Sequence, residues 1–462
     1  MAPFRVPRRG TGSLACKGAM LLLPIVLCAQ SQPTPELKSI LDRLDRLEQE
    51  NRSLSEQVRD LRAQLAAARG ETAPATPAAE PAAPTTEERL DIQQQRIEEQ
   101  AQTKVEASQK FPIRLTGMAL FNGFLNSRQS GGFDYPTAAS TPGPNHAGAT
   151  IHQTVVGLEF NGPRTFLGGT VHGSVFMDFA TGSGTFSQLL RLRTGSIELD
   201  WKTRHIMVGL EKPIFNPREP SSLAQVAVSP LTGTGNLWLW LPQARLQQDF
   251  AFGKKAGLRA RMGVVQTREV GPYETTGLPA GVEAARPGLE GRYEVYYNLD
   301  SDRRFEIAPG FHTSTTHANG ISIPSHLFST DWLFIPWRQV EFTGAFFDGT
   351  NVANLGTGAI NQGYVIYKRI FWGIDSIGGW GQFTIHAARR IDVHLFTGRQ
   401  DYSTEYLGTG DVNRNSLYGA NIFYRIAPNV LLGPEFSQMR TIYIGQGVRI
   451  NNHYDFALAY LF

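Results

Sequence analysis

From Phe111 to Phe462 apolar residues recur at every second position, and a period of two restricts this part of the chain to β-strands. The last segment shows it best: Tyr454, Phe456, Leu458, Tyr460 and Phe462 share one face, while Asp455, Ala457, Ala459 and Leu461 take the other. Sixteen such segments can be read, near 113–126, 150–161, 166–180, 188–200, 204–212, 244–252, 256–268, 289–299, 304–313, 326–335, 338–348, 380–388, 391–401, 416–426, 430–440 and 449–462. The count is even, and each segment is near the ~9–11 residues that a tilted membrane-crossing strand needs. Short connections with turn chemistry, such as Asn161-Gly162-Pro163, Asp300-Ser301-Asp302 and Ala427-Pro428-Asn429, alternate with long Gly-, Pro- and Asn-rich loops at 127–149, 213–243, 269–288 and 349–379. An all-β transmembrane antiparallel barrel of sixteen strands is predicted, or eighteen if 361–372 pairs with a neighbour.

Composition agrees. Glycine accounts for 47 of 462 residues, aromatics for 10% and charged residues for only 18%. The longest apolar run, Met20 to Ala29, is interrupted by Pro24 and too short for a membrane-spanning helix. A net charge of +3, spread along the chain, gives no case for binding nucleic acid.

The first 110 residues follow other rules. Arg5, Arg8, Arg9 and Lys17 precede an apolar core and small residues ending at Cys28-Ala29, the order of a secretory signal, so residues 1–29 are expected to be removed. A lipoprotein signal would place small residues before Cys28, where Val26 and Leu27 stand. Both cysteines fall in this segment, which leaves the mature chain without thiol or disulfide chemistry. Within 30–69, Leu37, Ile40, Leu44, Leu47, Asn51, Leu54, Val58, Leu61 and Leu65 alternate at spacings of three and four, the seam of an α-helical coiled coil. Residues 70–86 form a Pro/Ala linker, and 87–110 a weaker helical segment. The barrel proper is 111–462.

A last strand ending in Tyr460-Leu461-Phe462 resembles the C-terminal signal of bacterial outer-membrane barrels, which the insertion machinery recognises. The segments QLLRLRTGSIELDW, HIMVGLEKPIF and GGWGQFTIHAARRIDVHLFTGRQD resemble bacterial trimeric outer-membrane porins, and among them the DcaP-like group, which joins a periplasmic coiled-coil arm to a sixteen-stranded barrel. The resemblance implies a homotrimer in the bacterial outer membrane with its N-terminal arm in the periplasm. It also implies contact with membrane lipid and lipopolysaccharide, and passive passage of small anionic or neutral solutes such as dicarboxylates. It implies no cofactor and no metal.

Strand parity supplies the lumen candidates. An arginine facing lipid at the bilayer midplane costs ~2–4 kcal/mol, so Arg191 and Arg193, Arg245, and Arg259 and Arg261 are expected to face inward as a basic ladder favouring anions. The competing reading sets them at the rim against lipid phosphates. Glu306, Glu341 and Asp392 take inward parity elsewhere and would set a transverse field across the pore. The loop at 213–243, the third external one, holds Arg218, Glu219, Trp238 and Trp240, and is too apolar to sit free in water. It either constricts the pore or latches a neighbouring subunit.

Two other functions compete with a channel. A barrel enzyme needs a nucleophile and base within hydrogen-bond reach, yet none of the ten histidines lies in a Gly-x-Ser-x-Gly or His-Glu-x-x-His setting. A tether or adhesin would use the coil and linker, with the pore incidental.

Overall fold

The computed structural model describes residues 113–140, 144–181, 188–267, 287–318 and 321–462. The expected signal, coiled coil, linker and second helical segment lie outside the described residues.

The strands, in chain order, are β1 Ile113–Asn126, β2 His146–Thr150, β3 Val155–Arg164, β4 Thr170–Thr181, β5 Leu189–Asp200, β6 Arg204–Glu211, β7 Leu241–Phe252, β8 Ala256–Val265, β9 Gly288–Asn298 and β10 Arg304–Ala318. They continue as β11 Ile321–Trp337, β12 Val340–Thr350, β13 Tyr364–Tyr367, β14 Ile370–Gly373, β15 Asp375–Ala388, β16 Ile391–Tyr402, β17 Val412–Ala427, β18 Val430–Tyr443 and β19 Gly447–Leu461. Each wall strand pairs antiparallel with its neighbour, and β19 returns to β1 through Ala119 opposite Tyr460, so the sheet has no free edge. In hydrocarbon that closure is obligatory, because an unpaired backbone N–H or C=O has no water to bond. The two ends are also joined backbone to backbone: the Gly117 N–H donates to the Phe462 carbonyl (3.0 Å) and the Phe462 N–H to the Gly117 carbonyl (3.1 Å).

The wall has sixteen staves. β2 and β3 both pair with β1, β2 along Asn122–Asn126 and β3 along Ile113–Met118, and so share one stave broken at residues 151–154. The segment expected as two possible extra strands folds as the β13–β14 hairpin, Tyr364 opposite Gly373, in a two-stranded sheet of its own. Its four-residue strands are too short to cross a bilayer.

Parity sorts the two faces. On β19, Asn451, His453, Asp455, Ala457 and Ala459 are buried inward, whereas Tyr454, Phe456, Leu458 and Tyr460 are exposed outward. The outward residues of other staves, among them Ile197, Val208, Leu246, Val295 and Ile307, are likewise apolar and exposed. Near the short turns the outward face carries rings: Phe166, Phe252, Tyr297, Trp337, Tyr424, Tyr460 and Phe462. An apolar belt ending in an aromatic girdle is what a bilayer and its interface select, and this is a transmembrane barrel.

Candidate functional site: the barrel lumen

The connection from β6 to β7 decides the shape of the interior. Pro213, Pro217 and Pro220 remove three backbone donors from its first part, so the chain cannot extend the sheet there and turns off the wall. It then runs along the inner faces of distant strands. The Ile214 N–H donates to Glu290 on β9 (2.6 Å) and the Ser221 N–H to Gln382 on β15 (2.7 Å). Asn421 on β17 donates to the Ser221 carbonyl (2.8 Å), Asn122 on β1 to that of Leu223 (2.8 Å), and Gln153 to that of Ala224 (2.9 Å).

Apolar contacts seat the same segment. Leu231 packs with Ala345, Trp380, Phe396, Leu417 and Met439, inward residues of β12 and β15–β18. Ile214, Phe215 and Leu237 join Val265, Leu327 and Phe347. At the apex Gly235 adopts φ +100 and lies against the Gly379 backbone, where an added Cβ would come within 2.2 Å of the carbonyl oxygen. Gly398 is crowded equally by the Thr234 carbonyl oxygen, at 2.2 Å from an added Cβ. No side chain fits at either crossing.

The loop thereby covers the inner face of β15–β19, and Asn122, Asn421, Glu435 and Asp455 beneath it are buried. The inner face of β5–β8 stays half-open, and it carries the expected arginines. All five face inward, Arg193 through the extra residue at the β4–β5 register shift and not by the parity it shares with the outward Ile197, but their surroundings divide them. Arg191 and Arg193 each make a 2.7 Å ion pair with the fully buried Asp178 of β4. Their remaining donors go to the Ala227 (2.8 Å) and Val226 (2.9 Å) carbonyls of the loop. Both guanidinium groups also lie 4.9 Å from the ring centre of Trp240, which meets Trp238 edge to face at 4.8 Å. A register shift on β4–β5 near Phe176 and Met177 is what lets residues 191 and 193 reach one carboxylate.

Arg259 pairs with Glu294 and lies 3.6 Å from Asp249. Arg261 makes no ion pair among the described residues; its Nε donates to Gln247 (2.5 Å), and Arg245, Arg259 and Arg292 all act on its charge. Arg245 makes neither a hydrogen bond nor an ion pair among the described residues, with Glu211 and Glu198 the acidic charges acting on it.

The acidic candidates are scattered. Glu306 binds Arg218 of the loop (2.5 Å) and Arg304 (3.3 Å). Glu341 faces inward on β12 opposite Thr384, and Asp392 bonds His386 (2.6 Å). Glu219 pairs with Lys212 inside the loop (3.1 Å). Parity reasoning missed the most buried charges. Arg292 on β9 is 1% exposed and joins Asp331 (2.7 Å) and Glu294 (2.7 Å), and Asp331 also takes Arg218 (2.6 Å). The signal for them was present, since Arg292 and Glu294 share a parity within one strand. At the long-loop end, burial pushes the Tyr135 hydroxyl up to about 12, so this ring stays neutral beside Arg191 and Asp178. Among the described residues no three His, Cys, Asp or Glu side chains converge as metal ligands.

Solved structures share this architecture. The outer membrane channel DcaP of Acinetobacter baumannii matches 76% of this chain and 97% of its own, with 14% identity and a TM-score of 0.62. The chain has the DcaP fold. An anion-selective porin from Comamonas acidovorans also matches, at 10% identity and a TM-score of 0.48, over 76% of this chain and 100% of its own. No protein-family model and no curated protein matches the chain.

Proposed function

We infer that this barrel is a passive diffusion channel of the bacterial outer membrane for small hydrophilic solutes, assembled as a homotrimer and preferring anions. It has no catalytic role in this reading. The observation that carries the preference is the state of Arg245 and Arg261. A guanidinium is charged at any physiological pH, and these two stand on the half-open wall with no carboxylate bonded to them among the described residues. Arg191 and Arg193 share the single carboxylate of Asp178 and turn their other donors to the loop, and Arg259 is paired with Glu294, so a solute meets these three less directly. A wall with two cations that no carboxylate bonds directly raises the local anion concentration and admits chloride or carboxylates ahead of potassium.

The loop from Lys212 to Trp240 constricts the passage, because it is bonded to strands on opposite sides of the barrel and fills the β15–β19 half. Planar-bilayer recording under a potassium chloride gradient tests the whole reading. A reversal potential on the chloride side is expected; one on the potassium side overturns the preference, and failure to conduct overturns the channel.

A further inference from the structure

The outward face of β16–β18 breaks the apolar belt at one place. Arg399, Arg414 and Arg440 all have outward parity there, and in the sheet Arg399 and Arg440 flank Ser416 from either side. Among the described residues no other strand sets an arginine on its outward face away from the short-turn rim. One carboxylate serves the group: Asp401 takes Arg399 (2.5 Å) and Arg414 (2.5 Å). Arg440 has none. Its Nε donates to Gln438 (2.7 Å), its guanidinium lies 5.8 Å from the Tyr418 ring centre, and the Tyr418 hydroxyl donates to the same Gln438 (2.6 Å). Three cations against one anion leave a net charge near +2 on a surface that faces lipid.

Depth identifies what can meet that charge. Arg440 stands ten positions along β18 from Val430, which at ~3.3 Å per residue and a ~45° tilt is ~23 Å above the short-turn rim. The apolar belt of such barrels is ~25 Å tall, so the arginines mark its far edge, on the long-loop side. Directly beneath, Leu395, Ile422, Tyr454 and Phe456 are exposed and apolar, a bed for acyl chains. At the edge of the belt a guanidinium reaches the headgroup layer, and on the lipid side the counter-charge found there is phosphate.

We propose that Arg399, Arg414 and Arg440 form a binding site for the phosphorylated headgroup of an outer-leaflet glycolipid, whose acyl chains lie on the apolar strip below. This rests on the outer-membrane reading above and adds the site and the chemistry it takes. The guanidinium groups bind phosphate through paired N–H donors, and Tyr418 with Gln438 holds the Arg440 fork in place. A second copy of this chain is the competing occupant. It is disfavoured because the strip below the arginines continues the lipid-facing belt without a polar contact of its own.

The test uses the full chain in detergent, with native mass spectrometry reading retention of bis-phosphorylated lipid A and of the same lipid after phosphatase treatment. The expected result is retention of the phosphorylated lipid, at least tenfold weaker retention of the dephosphorylated one, and a tenfold loss for the R399Q/R414Q/R440Q variant at unchanged conductance. R440Q alone, which breaks no ion pair, should give a partial loss, and R440K should restore part of it. Equal retention of both lipids, or unchanged retention in the variants, overturns the site. A triple variant that instead falls apart into monomers with lipid still bound assigns the patch to the subunit contact and also overturns it. Conductance is read on the same samples, so failure of the channel reading is seen separately.

Discussion

An arginine in a lumen can spend its donors on the protein or keep its charge for a solute, and the five expected here divide along that line. Arg191 and Arg193 bind Asp178, two loop carbonyls and the Trp240 face, so they hold the loop. Arg245 and Arg261 stand on the half-open wall with no carboxylate bonded to them among the described residues, so their charge is left for a solute. Replacing Arg245 and Arg261 by Gln should move the reversal potential toward potassium by on the order of 10 mV, against an ideal limit of ~59 mV per tenfold gradient. The shift should be larger at 0.01 M salt, where screening extends to ~30 Å, than at 1 M, where it falls to ~3 Å. Replacing Arg191 and Arg193 should change conductance and its noise more than its selectivity, since Asp178 then loses both partners and the loop two donors. Equal selectivity shifts from both pairs would show that pairing does not decide which arginines solutes sense. Strand parity made the inward face legible for Arg191, Arg245, Arg259 and Arg261, whereas Arg193, of one parity with the outward Ile197, turns inward at a register shift. Partners were not legible, because Asp178 reaches both arginines only through a register shift between β4 and β5 that period-two reading passes over.

At the scale of elements, strands and loops differ in how much of their placement is local. All sixteen staves were readable because alternation, turn residues and length are properties of each segment. The exceptions are instructive. The stave at 150–161 is broken at residues 151–154, and 361–372 became a hairpin, since whether a short strand joins the wall depends on neighbours far along the chain. The third external loop was recognised by its position and apolar content, but its seat on β15–β18 is made of contacts separated by well over a hundred residues. Removing Ser222–Gly235 should raise single-channel conductance while the barrel keeps its heat-modifiable shift in gel mobility, because the backbone ladder of the wall runs from strand to strand and not through the loop. Unchanged conductance with a weaker oligomer would favour a latch between subunits. Gly398→Leu offers a gentler version: the Thr234 carbonyl stands where its Cβ must go, so the loop has to lift while the wall persists. Conductance should rise, with more open-channel noise, and a variant conducting like the parent would mean the loop yields without opening the path.

For the whole molecule, the barrel is closed by β19 on β1, and all sixteen staves lie between Ile113 and Leu461. Among the described residues the wall is complete without any strand from before Ile113. The heptad seam from Leu37 to Leu65 obeys a different period and asks for partner helices, not for a sheet. If the seam folds on its own partners as its period asks, the two segments should be separable by deletion, with residues 1–29, which have the order of a secretory signal, kept in place. A chain lacking 30–110 is therefore expected to insert, to show the heat-modifiable shift and to conduct with the parent's reversal potential, because the arginines that set it are all on the wall. Its trimers should dissociate at a lower temperature, reporting the coil's share of the assembly, while those that persist report the share of the outward barrel surface. Gel mobility before and after heating, beside bilayer recording of the same sample, reads both. If the truncated chain fails to insert, or inserts but is monomeric at every temperature, the body is not self-sufficient, and the coil is a condition of assembly instead of a reinforcement.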